Sequence, residues 1–289
     1  MANWSELGAV APSTLEPARL LAHHGVQWAS RAARANLAAE PDDSHSNLGW
    51  DDDAGALVSH ELAGRDGPVR VGLALAGLSL FVLADGGAPA RIALNGQSDA
   101  AAGVALDAAL AALGLAPAMP VTLPYEMPAH AVATGAAYDA AGSAEALTEL
   151  ARWFAAATDI LDDFAGRHGA VSVGSSALGT SPVRCWPHHF DIATLVSLEE
   201  GDAETARSVG VGMSPGDETY PQPYFYINPW PHLAIDDLPE LPAPGHWHTQ
   251  GFVGAIATGE DALGLADRRA GLAGFVEGAF AASTAKLGF

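Results

Sequence analysis

The chain has 289 residues, 49% of them hydrophobic and 16% charged, which supplies a large buried core and excludes a disordered chain. Its formal charge is −21, from 34 acidic against 13 basic residues, so nucleic acid and anionic membrane are excluded as expected partners by repulsion. Cys185 is the only cysteine, which rules out an intrachain disulfide and a thiolate metal cluster.

Residues 1–16 carry Glu6 and neither a positive region nor a long apolar run, so no signal peptide is expected. Val71 to Ala84, the most apolar stretch, falls short of the roughly 20 residues that a membrane-spanning helix needs. These features fit a cytoplasmic protein. Pro17 suits the first turn of a helix, and Ala18 to Ala39 reads as that helix. His23, His24 and Gln27 interrupt its apolar face, either as a wet face or as the lining of a cleft. Ala56 to Glu61, Val69 to Ala84 and Arg91 to Leu94 then read as strands, separated by Gly64-Arg65-Asp66-Gly67 and Asp85-Gly86-Gly87. Asp99 to Leu113 reads as a second helix.

A connection rich in Pro, Gly and Ala follows over residues 114–142. Ser143 offers an N-cap to the clearest helix of the chain, whose Leu147, Leu150, Phe154, Ala157, Leu161 and Phe164 recur three and four apart. It is predicted to end near Gly166 to Gly169, before a loop over Gly174-Ser175-Ser176 and Gly179-Thr180-Ser181. Val183 to Leu198, Val209 to Met213, Pro223 to Asn228 and Phe252 to Thr258 are strand candidates, and a last helix runs over about Leu263 to Lys286.

The pattern predicts an α+β fold, with a largely antiparallel twisted sheet covered by long helices. Residues 1–142 and 143–289 each read as helix, strands, helix, either as two similar halves or as one compact domain. Leu57-Val58-Ser59 and Val71-Gly72 recur as Leu195-Val196-Ser197 and Val209-Gly210 at one common offset, which fits a duplication. In that scheme Asp51-Asp52-Asp53 stands where Pro187-His188-His189 stands, which assigns histidine chemistry to the second half.

Four of the eleven histidines lie in Trp186-Pro187-His188-His189-Phe190-Asp191 and Gly245-His246-Trp247-His248-Thr249. In extended strands His189 and Asp191 share one face, as do His246 and His248, with Trp247 opposite. His189, Asp191, His246 and His248 then become candidate ligands for a divalent metal such as Zn, Fe, Mn or Ni. His188, Asp217, Tyr224, Tyr226, Trp230 and Trp247 become candidate wall residues of a small-molecule pocket. Histidines beside tryptophan also serve as packing residues, so structural histidines remain a reading.

His189-Phe190-Asp191 followed by His246 or His248 resembles the two-histidine, one-carboxylate triad of non-haem Fe(II) oxygenases. In the 2-oxoglutarate-dependent members a basic residue usually follows the distal histidine by about ten positions; Arg268 and Arg269 come about 20 after His248. Asp217 and Glu218 are candidate bases, and Cys185 beside Arg184 and the histidines is a weak candidate nucleophile.

The Trp-Pro-His-His-Phe-Asp segment, the Pro-Tyr-Phe-Tyr strand at Pro223 to Tyr226, Asn228-Pro229-Trp230-Pro231 and the Gly-His-Trp-His-Thr segment together resemble a bacterial family of unknown function. The helix with His24 and Trp28 and the helix from Ala146 to Gly169 extend the resemblance over most of the chain. It implies no established activity, and some relatives keep the Phe-Asp pair and the Pro-x-Phe-Tyr pattern without the histidines.

Three functional readings stay open. The first is an acidic cytoplasmic protein with a His/Asp/aromatic small-molecule pocket in its C-terminal half, with or without a metal. The second is a mononuclear metal enzyme, a hydrolase or oxygenase-like. The third is a non-catalytic ligand-binding or interaction protein. A homo-oligomer is compatible with each.

Overall fold

Apolar strands that cannot bury both faces alone must pack on helices, and the chain does this twice. The computed structural model describes residues 2–85, 87–169, 171–173, 176–201 and 205–289. It divides into an N-terminal unit, Thr14–Ala151 with Cys185–Phe190, and a C-terminal unit, Met1–Ser13 with Arg152–Arg184 and Asp191–Phe289. Both sheets are antiparallel, so the fold class is α+β. No helix among the described residues is long and apolar enough to cross a membrane. Gly86 and the Gly174-Ser175 part of the expected loop lie outside the described residues, and Ser176–Thr180 form a strand rather than the expected loop.

The N-terminal unit begins with α1 (Glu16–Asn36), which has a proline in its first turn. Six strands follow: β1 (Gly49–Asp51), β2 (Ala56–Val58), β3 (Leu62–Gly64), β4 (Gly67–Ala74), β5 (Ser79–Ala84) and β6 (Ala90–Ala93). Then comes α2 (Asp99–Ala112), capped by the Ser98 side chain, which accepts a hydrogen bond from the Ala101 N–H. The sheet order is β1-β2-β4-β5-β6, with β3 also on β4. α1 packs against β3, β4 and β5, and α2 against β5 and β6.

Two expectations change here. The apolar run Val69 to Ala84 is a hairpin, folded back at a turn where Gly77 and Leu78 take positive φ of 76° and 44°. Leu75 and Leu78 are buried in that turn, so it lacks the polar composition that usually marks one. His23, His24 and Gln27 are 4%, 7% and 4% exposed, so the wet-face reading fails. Their stretch of α1, from Leu21 to Ser30, is buried all round.

α3 (Ala144–His168) starts in the N-terminal unit and ends in the C-terminal one. β7 (Val171–Val173), β8 (Ser176–Thr180), β9 (Arg184–Trp186), β10 (Asp191–Ser197), β11 (Ser208–Ser214), β12 (Tyr224–Trp230), β13 (His246–His248) and β14 (Gly254–Thr258) follow. The chain closes with α4 (Gly259–Leu263) and α5 (Arg268–Leu287). The expected last helix is α5, which starts five residues later than expected, at the Asp267 cap, and a short α4 capped by Thr258 precedes it. The second sheet runs β13-β14-β12-β11-β10-β8-β7.

Cross-strand partners share a face, and the registers of this sheet therefore sort its side chains. Ile192, Thr194, Val196, Val209, Val211, Met213, Phe225, Ile227, Ala255 and Ala257 form one buried face, and α5 packs against β11, β12 and β14. The other face carries Leu195, Gly210, Gly212, Tyr224, Tyr226, Asn228, Trp230, Ile256, His246 and His248. Leu195 and Trp230 are 48% and 40% exposed, so this face is open at those points.

The strand expected over Val183 to Leu198 is broken. Pro187 to Phe190 form a turn in which Phe190 takes φ 60° and its N–H donates to the Trp186 carbonyl at 2.7 Å. Strand alternation therefore does not apply to His188 and His189, and it does not link them to Asp191, which begins β10. Cys185 pairs with Leu48 through two backbone hydrogen bonds, fixing this turn in the N-terminal unit.

Candidate functional site

The open face of the C-terminal sheet holds most of the pocket residues expected from the sequence. Tyr224 and Tyr226, two apart on β12, stand side by side with ring centroids 6.2 Å apart. Gly212 on β11 makes room for Tyr226: a Cβ there would sit 2.6 Å from the phenol carbon and oxygen. The Tyr226 hydroxyl reaches Asp191 at 2.5 Å, and the Tyr224 hydroxyl donates to Asp217 at 2.6 Å. The other oxygen of Asp217 accepts the backbone N–H groups of Thr219 and Tyr220, an Asx turn that sets the loop before β12.

Tyr220 extends the row, 5.1 Å from the Tyr224 ring. Its hydroxyl lies 3.2 Å from His246 Nε2 and 3.0 Å from His248 Nδ1. β13 is extended, which puts both imidazoles on this face and Trp247 on the other. The protons can be placed from the network. His248 Nε2 donates to the Gln250 carbonyl at 2.6 Å, so neutral His248 accepts at Nδ1 from Tyr220. Tyr220 then accepts from His246 Nε2, which leaves Nδ1 of the exposed His246 as an acceptor. Beyond it the Phe252 ring stacks on His248 at 4.3 Å, and His232 links Phe252 to Trp230.

Burial and the neighbouring Asp217 carboxylate push the Tyr220 and Tyr224 phenols above their ordinary value. They hold their protons at neutral pH and act as hydrogen-bonding groups rather than bases. Asp217, a candidate base, is fully engaged by its three donors, and Glu218 is exposed.

His188 and His189 belong to the N-terminal unit. The turn that carries them lies on α1: the Pro187 carbonyl accepts from His23 Nε2 at 2.9 Å and Gln27 Nε2 at 2.8 Å. Gln27 Oε1 takes the Tyr125 hydroxyl at 2.7 Å, and His23 stacks on Phe190 with centroids 5.1 Å apart. Burial depresses the His23 pKa to about 4, against the effect of its hydrogen bond to Pro187. Burial, helped by His189, takes His188 to about 4 as well. His188 packs among Tyr125, Trp186 and His189, while His189 is exposed.

The expected metal quartet is therefore not assembled. Among the described residues, no group of three or more His, Cys, Asp or Glu side chains is placed to hold a metal ion. His246 and His248 turn toward a phenol, the Asp191 carboxylate toward another, and His189 toward His188. Arg268 donates to the Leu7 and Trp4 carbonyls, and Arg269 pairs with Asp159, so both are engaged structurally. Cys185 is fully buried, which denies it a nucleophile's access. Trp247 donates to the Pro239 carbonyl at 2.7 Å, away from the tyrosine row.

Tyr220 heads the run of five aromatics to Trp230 that the sequence offers as a pocket floor, whereas His232 and Phe252 lay outside the expected site. Asp217 followed by Thr219 and Tyr220 was an available signal for Tyr220, because an Asx turn fixes the residues after the aspartate. Nothing in the sequence marked Phe252, which comes to His248 only through the return from β13 to β14. No family model matches the chain, and no curated protein or solved structure matches it either.

Proposed function

We propose that this protein binds a small ring-bearing molecule with an N–H or ammonium donor on the open face of its C-terminal sheet, without transforming it. The observation that carries the reading is the relay in which Tyr220 joins His246 to His248 and leaves His246 Nδ1 as an exposed acceptor. Along the row, the partly exposed rings of Tyr226, Tyr220, His248 and Phe252 offer contact to a flat ligand, with the buried Tyr224 packed between Tyr226 and Tyr220. The carboxylates of Asp191 and Asp217 favour a neutral or cationic ligand over an anionic one. The raised phenol pKa values favour recognition over acid–base chemistry.

Tryptamine is a suitable probe, with indole-3-acetate as its anionic counterpart. Calorimetric titration of the full chain is expected to give saturable tryptamine binding, with indole-3-acetate weaker. Tyr220→Phe and His246→Ala are each expected to weaken tryptamine about tenfold, the scale of one lost hydrogen bond to a charged group. Unaltered Kd in both variants, or no saturation with tryptamine, overturns the reading.

A further inference from the structure

The N-terminal unit holds an open groove of about 500 Å³ lined by Met127, Pro128, His130, Thr134 and three alanines. α1 packs against the short turn Ala131–Thr134 beside it. His24, Trp28 and Arg31 are spaced four and three apart and so share one face of α1. His24 Nε2 donates to the Pro128 carbonyl at 3.0 Å, which ties this face to the groove wall. The His24 and His130 rings are 5.5 Å apart. His130 Nδ1 accepts the Val132 N–H at 3.3 Å, so in the neutral ring the proton sits on Nε2 and is available to a ligand.

Arg31 is the anomaly in this layer. Its guanidinium lies over the Trp28 ring at 4.7 Å. It is near enough to His24, Tyr125 and Tyr138 to influence the protonation of each, and these residues bracket the groove segment. Yet among the described residues it has no carboxylate within ion-pair distance. Carboxylates are plentiful, with 34 in the chain, and Arg34 one turn along takes Asp43 at 3.1 Å. Asp99 in the same layer gives one oxygen to both the Trp28 indole and the Tyr138 hydroxyl. A half-buried guanidinium stacked on an indole is costly to leave without an anion, and its planar fork suits a carboxylate.

We infer that Arg31 and His130 hold the carboxylate of a small apolar organic acid whose body lies along the alanine-lined groove. The guanidinium offers paired N–H donors, the imidazole adds a third, and Met127, Pro128 and the alanines take the apolar body. Charge selects for this site, because the chain's overall acidity repels anions everywhere that no cation stands unpaired.

Phenylacetate and its neutral isostere phenylacetamide test the assignment on the full chain, by calorimetry and by ligand-observed NMR. Phenylacetate is expected to saturate, with phenylacetamide at least about tenfold weaker because it loses the charge-assisted bonds. Arg31→Leu is expected to weaken phenylacetate by about tenfold or more, Arg31→Lys by less, and Tyr220→Phe not at all. The last comparison separates this site from the tyrosine face. Equal affinity for acid and amide, an Arg31→Leu variant that binds as the parent does, or no saturation by phenylacetate, benzoate or hexanoate overturns the inference. If Arg31→Leu fails to fold, the acid–amide comparison on the parent and the His130→Ala variant, expected to weaken binding, decide it.

Discussion

His23 is buried on α1 with its Nε2 proton on the Pro187 carbonyl and a phenylalanine ring stacked beneath it. Burial holds its pKa near 4, against 6.5 for the free side chain. Since the folded pKa is depressed, the unfolded chain binds more protons between those values. The stabilisation from keeping His23 neutral is complete above pH 6.5 and is lost as pH falls toward 4. Between pH 7 and 5 this one group should remove about 2 kcal/mol of stability. Urea titrations at the two pH values check it, with His23→Gln expected to flatten the dependence; an equally steep fall in the variant would assign the loss to other groups.

At this same scale the candidate site was legible only where the backbone is extended. Alternation suffices for Tyr224 with Tyr226 and for His246 with His248. It cannot anticipate a positive φ at Phe190, a non-glycine residue whose turn sends His188 and His189 to α1. The pairing of Asp191 with Tyr226 and of Asp217 with Tyr224 also lay beyond sequence, because strand register fixes the first and the fold of the loop before β12 the second.

The elements themselves were mostly legible, since helix periodicity and apolar strand runs are local properties. What composition could not place were breaks inside apolar stretches: the hairpin between β4 and β5, and the turn that splits the strand expected over Val183 to Leu198. The two sheets share a device that sequence does not announce, a glycine under an aromatic ring of the next strand. Gly72 on β4 lies under Phe81 of β5, and Gly212 on β11 under Tyr226 of β12. The sheets also follow a similar antiparallel meander, although the matching strand pairs differ in register: Val58 faces Gly72, whereas Val196 faces Val209. Gly212→Ala tests the device. The new methyl would overlap the Tyr226 ring, and also Ala193 Cβ at 2.8 Å, so the ring must lift away from Asp191. Overpacking of this kind costs about 1–3 kcal/mol. Urea denaturation should register that loss, and tryptamine affinity should fall with it; a variant as stable as the parent would mean that the ring has room to move.

Across the whole molecule, charge sets the balance. The cations are few and mostly committed: Arg19, Arg34, Arg152, Arg167, Arg207, Arg269 and Lys286 each sit on a carboxylate. With 34 acidic residues against 13 basic ones, a surplus of carboxylates faces solvent without any partner cation. Their mutual repulsion opposes the compact state. Added salt screens that repulsion over roughly 10 Å at 0.1 M, and it also weakens the ion pairs. Exposed pairs such as Arg207 with Glu199 contribute little individually, about 0–1 kcal/mol each. Net repulsion should therefore win the comparison, and the thermal midpoint at neutral pH should rise by several degrees as sodium chloride increases from low millimolar to about 0.5 M. Differential scanning calorimetry measures it directly. A midpoint that falls with salt would mean that the ion pairs outweigh the acidic surplus, and that the carboxylates without cations are spaced widely enough not to interact.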